Sequence, residues 1–360
     1  MIAGGGTGGH LTPVLATAQA LRAADPDGDV TVVGRAGGVA ERLVAEAGFP
    51  LETLRVSGVD AGVPSTIVKA LAQLPSSTMA AYALLRSLDP DVVVGGAGYV
   101  CLPVIAAARA RRLPAVLLEQ NALPGRTTRL LARRARVVAT SFEETASHLH
   151  GARTILTGNP IRREVQQLVG TPLGQRCTRI LVTGGSQGAH RINVAVAGCV
   201  RTLLEHDPAV IVTHQCGSRD IDEMREAEAA LPAELRRRYR VAAFFDDLGR
   251  RMADSDLVVM RAGGSSLAEC SALGRPMILV PYPHVRGHQR HNAAPYEQAG
   301  AATVIEDEEC TPAALQWTIL GVLRDPDLWR RMAEASRCMG RPDAAERVAR
   351  LIVRVGDERR

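Results

Sequence analysis

Lysine is all but missing from this sequence: Lys69 is the only one in 360 residues, and every other side-chain cation except histidine is arginine. A Walker-type GK[ST] phosphate loop is therefore excluded, and a lysine Schiff base would have to be built on Lys69. Aromatic residues make up only 3% of the chain. The apolar content rests on Ala, Val, Leu and Gly, which suits parallel sheets covered by helices on both faces. The seven cysteines include no CxxC pair and are widely scattered, a pattern expected of reduced, buried thiols in a cytoplasmic protein. No run of about 18 uninterrupted apolar residues occurs, so no bilayer-spanning helix is expected. Met1 runs almost directly into a glycine loop, so no signal peptide is expected either. The formal charge of +5 fits phosphorylated substrates or an anionic membrane surface and is too diffuse to argue for nucleic acid.

The length fits two α/β domains better than one, and an internal repeat places them. Ile2-Ala3 leads into GGGTGGH at 4–10 and a helical pattern over 13–23; Ile180 to Thr183 leads into GGSQGAH at 184–190 and a helical pattern over 192–204. Both are strand, glycine turn and helix, half a chain apart, as tandem Rossmann-like domains would place them. Apolar runs at 30–33, 92–94, 115–118 and 137–139 alternate with helical patterns in the first half, and runs at 210–214, 241–244, 257–260, 277–280 and 303–305 do so in the second. The expected organisation is an N-terminal domain over 1–160, a C-terminal domain over 161–343, and a last helix within 344–360 packing back on the first. The linker is expected near Gly158-Asn159-Pro160. The first strand is short, with two residues ahead of the glycines: either the assigned start lies too far downstream or that strand is truncated.

A glycine turn that opens a helix offers unpaired N–H groups and the positive end of the helix dipole, which contributes about 0.3–1 kcal/mol toward a nearby anion. The plainer reading of any one such loop is tight strand-to-helix packing. GGGTGGH departs from the GxGxxG dinucleotide fingerprint, and no acidic residue follows the next strand to hold an adenosine ribose, so a nicotinamide enzyme is disfavoured. A third turn, RAGGSSLAE at 261–269, again follows an apolar strand. Gly263 to Ser266 can offer amides and hydroxyls to a phosphate or sugar, and Glu269, about a turn into the helix, can accept both hydroxyls of a ribose. The competing reading is helix capping by Ser265 or Ser266, with Glu269 near the capping-box position.

Several ordered strings then carry a resemblance: GGGTGGH (4–10), GGAGY (95–99), LEQNALPG (118–125), GNPIR (158–162), GGSQGA (184–189), RAGGSSLAE (261–269), HVRGHQRHN (284–292) and EQAGAA (297–302). Together they resemble the MurG-type undecaprenyldiphospho-muramoylpentapeptide β-N-acetylglucosaminyltransferases of glycosyltransferase family 28, over nearly the whole chain. The resemblance implies a GT-B fold, two Rossmann-like doubly wound parallel-sheet domains facing each other across a cleft. It implies UDP-GlcNAc as donor, held mostly by the second domain. Ser186 would meet the diphosphate with Arg162 nearby; Phe245 would read the uracil through its backbone. Gly264, Ser265, Ser266, Leu267 and Ala268 would line the phosphate and sugar, Glu269 would hold the ribose, and Gln289 would bind sugar hydroxyls. Thr7, Gly8, Gly9 and Asn121 of the first domain would close over the donor sugar. His288 stands where relatives carry a second glutamine, and Leu118 replaces a histidine often found before EQN.

The implied reaction is inverting, with the muramoyl hydroxyl of a lipid-linked muramoyl-pentapeptide attacking the anomeric carbon as UDP departs. It needs no covalent glycosyl-enzyme. Amides and Arg162 would hold the growing diphosphate charge, so neither a metal nor another cofactor is required. His10 is the first candidate for general base, against a role in capping the helix or orienting the loop. Glu119 is the alternative, against a role in fixing the Asn121 loop. His190 is expected to be structural, and His284, His288 and His291 lack the cysteine or aspartate that would complete a metal set. The acceptor implies a peripheral position on the cytoplasmic face of the inner membrane, with other cell-wall synthesis proteins as partners. Residues 67–88, with Met79, Tyr82 and Leu85, and the arginines 109, 111, 112, 133, 134 and 136 are candidates for that contact. Rival readings are another GT-B transferase acting on a lipid or metabolite, a UDP-GlcNAc epimerase, and a non-catalytic nucleotide-sugar sensor.

Overall fold

Short runs of Val, Ile and Leu, each too short for a helix, form two all-parallel sheets in the computed structural model. The structure describes residues 1–5, 8–37, 40–56, 64–96, 98–185, 187–283 and 287–358, with backbone only at 8–10, 40, 64–69 and 71. The first sheet contains β1 (Ile2–Ala3), β2 (Val32–Arg35), β3 (Leu51–Leu54), β4 (Val93–Gly95), β5 (Ala115–Glu119), β6 (Val137–Thr140) and β7 (Thr154–Leu156), in the spatial order β3-β2-β1-β4-β5-β6-β7. The second contains β8 (Arg179–Thr183), β9 (Ile211–Gln215), β10 (Tyr239–Ala242), β11 (Leu257–Met260), β12 (Met277–Leu279) and β13 (Ala302–Val304), in the order β10-β9-β8-β11-β12-β13. The chain accordingly forms two units, Met1–Arg162 with Asp343–Arg360, and Arg163–Pro342.

Both sheets reverse their strand order once, between β1 and β4 and between β8 and β11. Connections from the two strands at such a point leave toward opposite faces, and the crevice beyond their carboxyl ends is where doubly wound folds bind ligands. Short as it is, β1 is paired on both sides, Ile2 with Val32 and Val94, Ala3 with Val33 and Gly95. Asp256, buried ahead of β11, holds the segment that enters β8: its carboxylate accepts the amides of Gly174, Thr178 and Arg179.

Where structure and expectation differ, the cause is local. β3 and β7 carry no apolar run because they are edge strands whose side chains are partly exposed. The expected strand at 241–244 begins earlier and ends at Ala242, because the amides of Cys216 and Gly217 take the carbonyls of Ala242 and Ala243 and the chain then leaves the ladder. Six of the seven cysteines are buried and form no disulfide, as anticipated, and burial pushes the thiols of Cys177 and Cys270 well up; Cys338 is the exception, being exposed. Among the described residues no helix is long and apolar enough to cross a membrane.

The last helix, Ala344–Asp357, carries apolar residues at 348, 351, 352 and 355, one face of a helix. Val348, Leu351, Ile352 and Val355 lie in one cluster with Ile2, Leu11, Val14 and Val94, so residues from both ends of the chain close the same core. Outside that core, the Arg136 guanidinium meets Glu358 at 2.6 Å. Ile352→Ala is expected to destabilise the first unit by about 2–5 kcal/mol, read as an earlier urea transition of probes in that unit with no change in the second.

Candidate functional site

In the second unit the two glycine turns leave from hydrogen-bonded neighbours, since Thr183 at the end of β8 is in register with Met260 at the end of β11. The turn after β8 works only with glycine. Gly188 has φ +76°, and a Cβ there would stand 2.1 Å from the Cys216 carbonyl oxygen; Gly217, φ +84°, faces it with equally little room. These glycines let two backbones touch, which keeps the loop low over the strand ends. Ser186 lies outside the described residues.

Gln215, fully buried at the end of β9, clasps this loop. Its Nε2 donates to the Thr183 hydroxyl at 3.3 Å and to the Gly185 carbonyl at 3.2 Å, while its Oε1 accepts the Phe245 amide at 2.9 Å. Phe245 is thus tied through one carboxamide to the glycine loop. Its N–H is committed to that bond, so reading a base through its backbone falls to the carbonyl. The Arg251 guanidinium lies 4.0 Å over its ring.

The helix Gly264–Ala272 starts with Gly263 at its N-cap, which is extended (ψ 137°) and makes no side-chain cap bond. Ser265 and Ser266 lie inside the first turn, not at the cap, so the capping-box reading does not hold for this helix. Glu269 is buried at 5% exposure; Leu267 is core, and Gly264, Ser265, Ser266 and Ala268 are half-buried. Arg261, just ahead, bonds the Val280 carbonyl and Asp307 and lies 5.4 Å from the Tyr282 ring centre. The Tyr282 amide donates to Oε1 of Gln289 at 3.0 Å, which fixes the orientation of that carboxamide. Asn292, fully buried on the helix His288–Gln298, donates to the Ala262 carbonyl. Gly264 to Glu269, Gln289 and Phe245 are therefore all anchored at the carboxyl edge of the second sheet.

The first unit repeats the plan. A Cβ on Gly98 (φ +84°) would lie 2.2 Å from the Gly5 carbonyl oxygen, so the GGAGY turn after β4 rests on the turn after β1. Gln120 donates to the Gly96 carbonyl at 2.8 Å. Glu119, 4% exposed at the end of β5, accepts from the Asn121 amide (3.0 Å), the Asn121 side chain (3.1 Å) and the Gly125 amide (3.1 Å). That geometry favours the loop-fixing role: the carboxylate holds Asn121 in place. Arg162 is half-buried at the end of this unit. Thr7 and the side chain of His10 lie outside the described residues; Gly8 and Gly9 begin the helix Gly8–Ala24.

Comparison with known proteins agrees with this plan over the whole chain. Residues 1–140 match the glycosyltransferase family 28 N-terminal domain and residues 179–348 its C-terminal domain. The transferase of Syntrophotalea carbinolica named UDP-N-acetylglucosamine--N-acetylmuramyl-(pentapeptide) pyrophosphoryl-undecaprenol N-acetylglucosamine transferase is 38% identical over 98% of this chain and 97% of its own. The chain belongs to glycosyltransferase family 28. Within the family, the crystal structure of Acinetobacter baumannii MurG superposes with a TM-score of 0.76 at 28% identity, covering 98% of both chains. A UDP-GlcNAc 2-epimerase from Neisseria meningitidis, solved bound to UDP-GlcNAc, gives 0.67 at 13% identity over 98% of each chain, which shows a shared fold alone.

Gln215, Asn193, Arg261 and Asn292 of this family 28 chain are residues that motif reading passes over. None touches the crevice by its type alone; each earns its place by a buried hydrogen bond to a loop backbone. Asn193 donates to the Cys216 carbonyl at 2.8 Å, and its Oδ1 meets Nε2 of His214 at 3.0 Å, whose Nδ1 meets the Tyr239 hydroxyl at 2.9 Å. Because Asn193 Oδ1 can only accept, His214 carries its proton on Nε2 and accepts from Tyr239. Burial pushes the His214 pKa down to about 4 against a smaller opposing pull from Asp220. Between about pH 6.5 and 4 the unfolded chain binds a proton here that the folded chain refuses, so stability rises with pH across that window. The second unit should lose about 3 kcal/mol on acidification through it, all of it restored above pH 6.5. Urea unfolding at stepped pH checks this, and His214→Gln should remove that part of the slope.

Proposed function

We propose that the chain transfers N-acetylglucosamine, with inversion, from UDP-GlcNAc to undecaprenyl-diphospho-N-acetylmuramoyl-pentapeptide, a step of peptidoglycan synthesis. The observation that carries the reading is the pair of helix-opening glycine turns at the ends of adjacent strands β8 and β11, with the buried carboxylate of Glu269 just beyond. Two helix N-termini side by side suit the two phosphates of a nucleoside diphosphate. Glu269 can accept both ribose hydroxyls, and the Phe245 carbonyl can accept an N–H of uracil. As the glycosidic bond breaks, negative charge grows on the departing UDP. Fixed amides at the glycine turns act where that charge appears, without rearranging at the moment of reaction.

The proton of the attacking hydroxyl needs an acceptor. The three bonds on Glu119 favour a positioning role for it, which leaves His10 as the base. In the transfer assay His10→Ala should lower kcat by roughly 10²–10⁴-fold and abolish the acidic limb of the pH–rate profile. Glu119→Gln should lower the rate but keep that limb. Glu269→Ala should act on the donor, raising its KM by roughly 10-fold or more, as loss of charged hydrogen bonds does. Formation of UDP-ManNAc, or transfer to diacylglycerol in place of the muramoyl lipid, overturns the assignment.

The lipid-linked acceptor places the enzyme on the cytoplasmic face of the membrane as a peripheral protein. The helix Pro64–Leu88 supports this with Met79 at 74% exposure and Tyr82 at 43%, beside Arg111, whose guanidinium lies 5.9 Å from the Tyr82 ring centre. Leu85 of the same helix is core and takes no part. Burying a side chain such as Met79 is worth roughly 1.5–3 kcal/mol. The double variant Met79→Ser with Tyr82→Ser should lose binding to vesicles containing anionic lipid while keeping transfer to a short-chain, water-soluble acceptor.

A further inference from the structure

His190 opens the helix His190–His206 beside two acids from the start of the helix Ile221–Ala229. Its Nδ1 lies 3.2 Å from Oδ2 of Asp220. One ligand atom each from His190, Asp220 and Glu223 falls within 4.8 Å of the others, an arrangement found nowhere else among the described residues. Asp220 departs from the local rule for its position. An Asp at an N-cap ordinarily accepts an amide from the first turn of its own helix, yet Asp220 occupies that position and makes no such bond. Its carboxylate turns instead toward His190 and accepts the Asn193 side chain at 2.7 Å. It is only 7% exposed, and Asn193 behind it is locked by His214 and the Cys216 carbonyl.

A buried carboxylate fixed from behind by a rigid donor, and facing an exposed imidazole and a second carboxylate, is the layout of a metal centre. Tetrahedral coordination with bonds of about 2.0 Å separates neighbouring ligand atoms by roughly 3.3 Å, close to the 3.2 Å between His190 and Asp220. One imidazole with two carboxylates selects a first-row transition ion over calcium or magnesium. We propose that His190, Asp220 and Glu223 bind one divalent transition-metal ion, with zinc as the reference, and water completing the coordination. Asn193 is the outer partner that orients Asp220. The site adjoins the glycine turn after β8, because His190 follows Gly188 and Ala189 directly, but it does not depend on the proposed transfer reaction.

The test is calorimetric titration of the chelator-treated, full-length protein with zinc ion alone. The expected result is saturable binding of one zinc per chain, with X-ray absorption showing nitrogen and oxygen ligands. His190→Ala and Glu223→Gln should each weaken it by at least the roughly 10–100-fold that even an outer partner is worth, whereas Cys338→Ser leaves it unchanged. Both substituted side chains are exposed, so the metal-free variants should melt where the parent does, and a melting scan checks that. No saturable binding, a sulfur ligand, or zinc affinity equal to the parent's in either variant overturns the proposal.

Discussion

A parallel strand that ends beside a neighbour whose connection runs the other way leaves backbone amides with no ladder to join. Everything at the candidate site follows from how this chain handles those amides at β8 and β11. Neither helix has a side-chain cap bond at its N-cap, Ala189 or Gly263; in the turn after β8 the Gly185 amide goes to the Thr183 hydroxyl, and Cβ positions on Gly184 and Gly188 are filled by the facing backbone. Uncapped amides at the positive ends of two helices form a neutral yet anion-seeking surface. A chain with a single lysine can bind a diphosphate this way without a point cation in the loop.

Such turns are held by little of their own, so the rigidity comes from beneath. Gln215, Asn193, Arg261 and Asn292 each satisfy a loop carbonyl or amide from a buried or half-buried position. Each would cost about 1–3 kcal/mol if left unpaired, which means the loops and the side chains beneath them must be right together. His214 is the extreme case, an imidazole kept neutral by burial so that it can pass one hydrogen bond on each side. The same coupling explains why Phe245 is in register with the glycine turn although 56 or more residues separate it from Ala189 in sequence.

Legibility in the sequence tracked burial. Strands covered on both faces, such as β8 (all but Arg179 buried) and β11, show as unbroken apolar runs, and the repeated glycine turns marked both reversal points. The edge strands β3 and β7 left no such trace. The helices Pro312–Arg324 and Pro326–Met339 did carry a signal that periodicity alone passed over: Thr311-Pro312 and Asp325-Pro326 each set a capping side chain before a proline, the pairing that starts a helix. Residues proposed to meet a ligand through their chemical type, such as Glu269 and Gln289, stood out in motifs. Gln215 and Asn193 did not, because a buried carboxamide is recognisable only once its partners, 21 to 32 residues away, are in place.

The same distinction bears on the first unit's acid. Glu119 turns its oxygens onto Asn121 and Gly125, two and six residues along the chain. Those bonds close a turn that begins at the end of a buried strand and returns to the helix Arg126–Leu131. The arrangement suits a residue whose work is to hold the Asn121 loop in one shape.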